Sequence, residues 1–407
     1  MPISPQTRLH AAFIIIVLAL LSVFPPLATD MYLPAIGQVA EAMDAPHSAA
    51  ELSLSVFFLG LCLGQFIVGP LSDAFGRKLP LVGGTLLFTL TSIGLLMVDD
   101  IVSFNVLRFL QAIGACTGMA VGRAIVTDLY QGRAVAKVMT LLVTLMTIGP
   151  IISPFLGSVL LTALGWRSIF VTLIIVGVTA LVLTLIVIPE TLPQENRRPG
   201  AFSNALGHFK TLATRRRFIV PALVTAFIQA PIFAFITGSS GVFIGGFGMS
   251  ASSYGVLFGV VASALVIFAQ INNQLLNHFS PAQILSAGLP VFAGLAAVLL
   301  TVSGTQQAWV LVAALWCVLG MVGLLSANGM AIAMAGSPEA AGLGSAGLGS
   351  LQFAVAFCMS SLVALMGTAT AVPMAAAMLT VSLVATGLWH GFFRRAASEQ
   401  TAQEAAS

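Results

Sequence analysis

The chain has 407 residues, 58% of them hydrophobic and only 7% charged, with a mean hydropathy of +1.05. A soluble protein carries about a quarter charged residues, so this composition excludes a soluble globular domain and points to a polytopic membrane protein. The net charge is only +3, no nucleic-acid partner is expected, and the placement of the charges matters more than their sum.

Apolar segments place spans at 11–41, 49–71, 80–98, 101–129, 137–163, 167–188, 218–246, 251–277, 282–303, 307–335, 340–368 and 371–393. Each is near or above the ~20 residues a crossing needs; the longer ones imply tilt or an extension into solvent. Arg8 precedes the first apolar run, which continues without a small-residue cleavage site and reads as a retained first helix, not a signal peptide. In that first span lies Leu27-Ala-Thr-Asp-Met-Tyr-Leu-Pro34. Asp30 has a long uncharged stretch behind it, and a carboxylate at membrane depth usually faces a cavity or a partner. A low-dielectric site favours its neutral form, which suits a group that carries protons. The competing reading is an acid fixed permanently to a buried arginine. Pro25, Pro26 and Pro34 bend the helix and free carbonyls that protein or water must satisfy.

Spans two and three are joined by Gly69-Pro-Leu-Ser-Asp-Ala-Phe-Gly-Arg-Lys78. Glycines at its ends, an acid at its start and a basic pair at its close suit a loop that locks helix ends together. Asp73 is expected to act on a helix N-terminus, and Arg77 to bridge to Asp128 at the end of span four. A plain topogenic loop would need Arg77 and Lys78 but not Gly69, Asp73 and Gly76. Span four itself carries Arg108, which cannot lose its proton and so needs an acceptor or a cavity. Asp30 is one candidate partner; a purely structural bond to backbone carbonyls is the alternative. Arg123 lies nearer the basic side, where it either snorkels or lines a vestibule. Gly114, Gly118 and Gly122 on this span, and Gly60 with Gly64 on span two, form stripes for close helix approach. Gly149, Pro150 and Pro154 in span five predict a bend, either a hinge or a static kink.

The longest polar stretch, about Glu190–Arg217, divides the spans six and six. The organisation expected is a first six-helix bundle over 1–189, a linker over 190–217, a second bundle over 218–395 and a short disordered tail over 396–407. Two six-span halves suggest the repeat architecture of secondary transporters. Arg77, Lys78, Arg133, Lys137, the linker bases, Arg394 and Arg395 fall on one side of the membrane. Glu41, Asp44, Glu51, Asp99 and Asp100 fall on the other, with Arg167 as its only base. By the positive-inside rule both termini are cytoplasmic. Cys62, Cys116, Cys317 and Cys358 sit in apolar segments without metal spacing, and read as small core residues. Gly342-Leu-Gly-Ser-Ala-Gly347 satisfies a dinucleotide fingerprint, but its glycines open an apolar helix and not a βαβ unit. No catalytic set or Walker sequence is present, so neither an enzyme nor an ATP-driven pump is expected.

The 69–78 loop resembles the signature of the major facilitator superfamily, G-x-L-x-D-x-x-G-R-[RK]. The segments TDMYLPAI, LRFLQAIGA, RAIVTDLY, IGPIISPFLGS, SANGMA and AAGLGSAGLGSLQF resemble its Bcr/CflA branch of drug:proton antiporters. The resemblance implies an all-α fold of twelve transmembrane helices in two six-helix bundles. It implies that Asp30 couples protons and that Asp73, Arg77 and Asp128 form a charge relay closing the cytoplasmic side. Arg108, Gln111 and Gly114 match a span-four motif linked to proton transfer. Gly149, Pro150, Pro154 and Gly157 match a span-five motif associated with antiport. The chain departs at Ala74, where relatives have a base, and at Ser158, where they have a second glycine. A second acid of some multidrug relatives would fall near Ser22, and its loss favours neutral or zwitterionic substrates. The second-half copy of the loop survives only as Asn277–Pro281.

Polar and aromatic groups of the spans give the substrate candidates: Tyr32, Gln229, Phe233, Asn328 and Gln352. The expectation is a monomeric, multi-pass protein of the bacterial inner membrane that exports amphenicol- or bicyclomycin-type compounds, driven by the proton-motive force without a cofactor. The alternatives are a dedicated exporter of a nucleoside or amino-acid derivative and, further off, a receptor that transports nothing.

Overall fold

The computed structural model describes residues 5–131, 133–197, 207, 210, 214–336 and 341–404. Among these, all regular structure is helical. Twelve helices are long and apolar enough to cross a membrane: Ala12–Ala42, His47–Phe75, Lys78–Met97, Ile101–Leu129, Lys137–Leu164, Arg167–Val187, Arg216–Gly246, Ala251–Leu275, Pro281–Val302, Ala308–Ala335, Gly344–Met366 and Val372–Gly391. They are spans one to twelve below.

Span one is broken into helices Pro5–Ser22 and Phe24–Asp30, a 3-10 turn Leu33–Ala35 and a helix Ile36–Ala42. Its prolines are the cause. Pro25 and Pro26 occupy the first turn of the second piece and Pro34 the 3-10 turn, positions where a missing N–H is tolerated. Asp30 therefore ends a helical piece. The last helix runs from Val372 to Glu404, where the sequence suggests a disordered end after Arg395; the segment Ala396–Glu404 is rich in helix formers and holds no Gly or Pro to stop it. Of the expected linker over 190–217, residues 198–206, 208–209 and 211–213 lie outside the described residues. The Gly342–Gly347 run lies in the helix Ala341–Met366, without the strand a nucleotide site would need.

The helices group into two compact units, Met1–Gly207 with Met249–Gly259, and His208–Gly248 with Val260–Ser407. In the first, span four is central and packs along spans two and three. A Cβ at Gly114 would lie 2.6 Å from the Phe88 nitrogen, and one at Gly118 would strike the Leu21 carbonyl. Lipid offers no hydrophobic drive between helices, so such close main-chain approach supplies the packing contact. In the second unit, span seven packs on spans ten, eleven and twelve, and span nine on spans ten and twelve. Large apolar side chains such as Met97, Ile186 and Leu365 are left exposed, as a lipid-facing surface requires. Cys62 and Cys116 are buried, but Cys358 faces outward and is not the core residue expected.

Candidate functional site

Span two continues through Gly69 and Pro70 to Phe75, so only Gly76 and Arg77 separate it from span three. Gly69 is helical with open space around it, not the end of a loop. Asp73 lies in the last turn of span two, not at a helix N-terminus as its sequence position suggests. Gly76 adopts φ of 93°, a region that favours glycine, and reverses the chain so that Arg77 turns back. The Arg77 guanidinium donates to Asp73 Oδ1 at 2.5 Å, to Ser72 Oγ at 2.8 Å and to Asp128 Oδ2 at 3.0 Å. The expected bridge between spans three and four is therefore present. Burial opposes the charge of Arg77, but its bonds to Asp73 and Asp128 outweigh that and push its pKa up.

Two residues that the sequence reading assigned only to a linker complete this cluster. Glu190 accepts the backbone N–H groups of Arg77 (2.8 Å), Leu192 (3.0 Å) and Lys78 (3.4 Å), and lies 3.6 Å from the Arg197 guanidinium. It thereby caps span three with a carboxylate, the favourable sign for a helix N-terminus. Partial burial works to raise the Glu190 pKa, but the three N–H donors and Arg197 prevail and hold it below the usual carboxylate range. Thr191 donates to Asp128 Oδ2 at 2.9 Å, and Lys78 Nζ donates to the Leu185 carbonyl at 2.9 Å. A cavity of about 500 Å³ lies between Asp73, Arg77, Leu192, Glu195, Asn196 and Arg197.

Within the first bundle, Asp30 is 1% exposed. Its Oδ1 accepts from the Thr29 hydroxyl at 2.9 Å, which also reaches the Pro25 carbonyl at 2.9 Å. No ion pair to Asp30 is seen among the described residues. Arg108, fully buried, instead donates Nη1 to Gln111 Oε1 at 2.7 Å, and Gln111 Nε2 donates to Ser92 Oγ at 2.8 Å. The guanidinium stacks over the Tyr32 and Phe57 rings at 4.9 and 4.7 Å. In this conformation the two candidate proton-coupling residues are thus separate: Asp30 has a hydroxyl partner, and Arg108 an amide and two aromatic faces. Arg123 donates Nε to the Met119 carbonyl at 3.0 Å, so its head folds back on its own helix.

Span five belongs to a helix, Arg133–Leu164, that runs unbroken through Pro150 and Pro154. Its glycines make contact with span one on both sides of Asp30. A Cβ at Gly149 would lie 3.0 Å from Pro26 Cγ, and one at Gly157 would strike the Met31 carbonyl. The sequence reads Gly149 with Pro150 and Pro154 as a bend; in the fold Gly149 admits the Pro26 ring, and Gly157 is where two backbones meet.

The substrate candidates separate in the same way. Tyr32 is fully buried against Phe104 and Phe170, with its hydroxyl 3.4 Å from the Ala50 carbonyl. It is a core residue of the first bundle here, not an open wall. Asn328 donates to Asn272 Oδ1 at 2.7 Å and to the Leu324 carbonyl at 2.9 Å, a satisfied amide pair between spans ten and eight. Phe233 meets Phe353 with ring centroids 6.1 Å apart. Gln352 adjoins Phe353 in sequence, and its buried Nε2 finds no hydrogen-bond partner among the described residues. Gln229 is half-buried on span seven.

Residues 18–364 match the family profile of the Major Facilitator Superfamily. The chain is 31% identical over 95% of its length to an uncharacterized MFS-type transporter, YdgK, of Bacillus subtilis, covering 96% of that protein. It is 30% identical to a chloramphenicol resistance protein of Pseudomonas aeruginosa (94% of this chain, 91% of that one). It is 28% identical to a bicyclomycin resistance protein homolog of Haemophilus influenzae (88% and 91%). Among solved structures, the xylose transporter XylE of E. coli superimposes with a TM-score of 0.71 at 15% identity, covering 94% of this chain and 97% of that one. That last likeness shows the fold alone. The profile match over most of the chain and the signature loop, with its arginine on two carboxylates, agree: this chain belongs to the Major Facilitator Superfamily, as a multi-pass membrane transporter and not an enzyme.

Proposed function

We propose that this protein exports small neutral or zwitterionic organic compounds, of the amphenicol or bicyclomycin type, in exchange for protons. The observation that carries the reading is Asp30: a carboxyl 1% exposed inside a membrane span, held by one hydroxyl and, among the described residues, by no cation. A permanent ion pair would hold its charge fixed; a hydroxyl partner serves either protonation state. In the proposed cycle, ionised Asp30 accompanies substrate uptake from the cytoplasm. The acid takes a proton from outside as substrate leaves, returns neutral, and releases the proton inside. One charge moved through 100 mV supplies about 2.3 kcal/mol, roughly a fifty-fold concentration ratio. The Asp73–Arg77–Asp128 cluster, with Glu190 and Thr191, would latch the cytoplasmic ends of spans two, three and four in one half of the cycle. The basic loops support a bacterial inner-membrane location with both termini cytoplasmic, and the protein is taken to work as a monomer.

The test is proton release from purified protein on addition of chloramphenicol, bicyclomycin or candidate metabolites, with Asp30→Asn as control. Release with drugs that vanishes in the variant supports the proposal. Undiminished release in Asp30→Asn removes Asp30 from the mechanism. Release with nucleosides or amino-acid derivatives alone would reassign the substrate class.

A further inference from the structure

The end of span two far from Gly76 holds a second buried carboxyl. In the sequence Glu51 stands at the start of span two, among the acids of the less basic side; the helix His47–Phe75 carries it into the fold, 0% exposed. One turn earlier, His47 Nδ1 lies 3.0 Å from Glu51 Oε1; the histidine side chain is 41% exposed and that of the glutamate 1%. The pair therefore has one end in reach of solvent and the other in the core. Behind it stands Tyr32 of span one, whose hydroxyl bonds Ser53 and interacts electrostatically with both Glu51 and Arg108. Arg108 lies over the Tyr32 ring, and its Nε and Nη2, both buried, find no hydrogen-bond partner among the described residues. Around Glu51 stand His47 on its own helix, Tyr32 from span one and, past that ring, Arg108 from span four.

A buried guanidinium without a counter-ion is strongly unfavourable, and Glu51 is the acid that shares Tyr32 with it. We infer that Glu51 is a second proton-binding carboxyl of the first bundle, exchanging with solvent through His47. When His47 Nδ1–H passes its proton to Glu51 Oε1, the imidazole is left neutral and is recharged from water. No bond between heavy atoms changes. Neutral Glu51 leaves Arg108 without a balancing charge inside the bundle; ionised Glu51 supplies that charge across the Tyr32 ring. Coupled to the export proposed above, on which this part rests, the site would add a proton to each cycle from the side opposite the Arg77 latch.

Infrared spectroscopy of the purified full-length protein across a pH titration tests the site without any substrate. The wild type is expected to show a protonated-carboxyl band that Glu51→Gln removes and Asp30→Asn leaves. His47→Gln should retain the band but slow its appearance after a pH jump about tenfold or more, the scale of a lost proton relay. A full set of bands in Glu51→Gln at every pH would overturn the inference. Should that variant fail to fold, Glu51→Asp keeps a carboxyl in place: a displaced band supports the site, and an unmoved spectrum refutes it. In proteoliposomes, Glu51→Gln should lower the protons moved per drug. A wild type that moves no compound defeats the export reading and leaves the infrared result to stand by itself.

Discussion

Removing the Glu190 carboxylate tests whether it fastens the chain after span six to span three. The side chain accepts three backbone N–H groups, two at 3.0 Å or less, and pairs with Arg197 at 3.6 Å. A buried hydrogen bond to a charged group contributes about 1.5–3 kcal/mol. Glu190 is 31% exposed on its side chain, and water replaces part of what is lost, so we take about 2 kcal/mol for Glu190→Ala as the whole group's net effect. That corresponds to roughly a thirty-fold larger open population of the segment around Arg197. Glu190→Gln keeps the shape and one acceptor but not the charge. Charge-assisted bonds are about twice as strong as neutral ones, so about 1 kcal/mol and a five-fold effect are expected. Tryptic cleavage after Arg197 in native protein reads this population directly, provided closing is fast relative to cutting. Equal cleavage of wild type and Glu190→Ala would show that the carboxylate fastens nothing.

The same residue predicts a pH dependence. Its folded pKa is depressed below the usual 4.5, so its contribution is complete above that value and is lost as pH falls through the lower folded value. Amide exchange at Leu192, corrected for intrinsic rates, should stay protected down to about pH 4.5 and rise below it. In the relay, Asp128→Asn should loosen the same segment more than Asp73→Asn, because the Asp128 side chain is 19% exposed and that of Asp73 48%; the reverse order in the cleavage assay would contradict the geometry. Gly157→Ala forces a methyl onto the Met31 carbonyl and should cost about 1–3 kcal/mol, whereas Gly149→Ala meets only the edge of Pro26 and should cost less; thermal unfolding in detergent compares them. A double-mutant cycle on Asn272 and Asn328 should give a coupling of about 0.6 kcal/mol, the average for interhelical hydrogen bonds in membranes, and a value near zero would dissolve the pair.

Much of the fold is legible in the sequence. Twelve spans follow from apolar run lengths, because a bilayer demands that every buried backbone group be bonded within its own helix. The Arg77–Asp128 bridge follows from an acid at the end of one span and a basic pair at the start of another. Glu190 was not legible in that way. Its contact with Arg77 joins positions 113 residues apart, and nothing in a linker's composition marks one carboxylate as a cap. Glu51 lies inside span two in the sequence as in the fold, but its place near the span's end does not say that the side chain turns into the core. Periodicity showed that the glycines of span four line one face but could not say which neighbour they meet. Tyr32 shows the limit most clearly, since an intramembrane hydroxyl is equally at home in a cavity or in a closed core.

Span one is gripped from two directions by main-chain contacts, at Leu21 through Gly118 and at Met31 through Gly157. These two anchorages bracket Asp30. A carboxyl so anchored is poorly placed to travel to water by sliding along with its helix; hydration has to come to it. The tempo of exchange at Asp30 would then be governed by when water reaches its buried site, and deuterium or hydroxyl-radical labelling near Thr29 would register that rhythm where measurements of helix displacement would miss it.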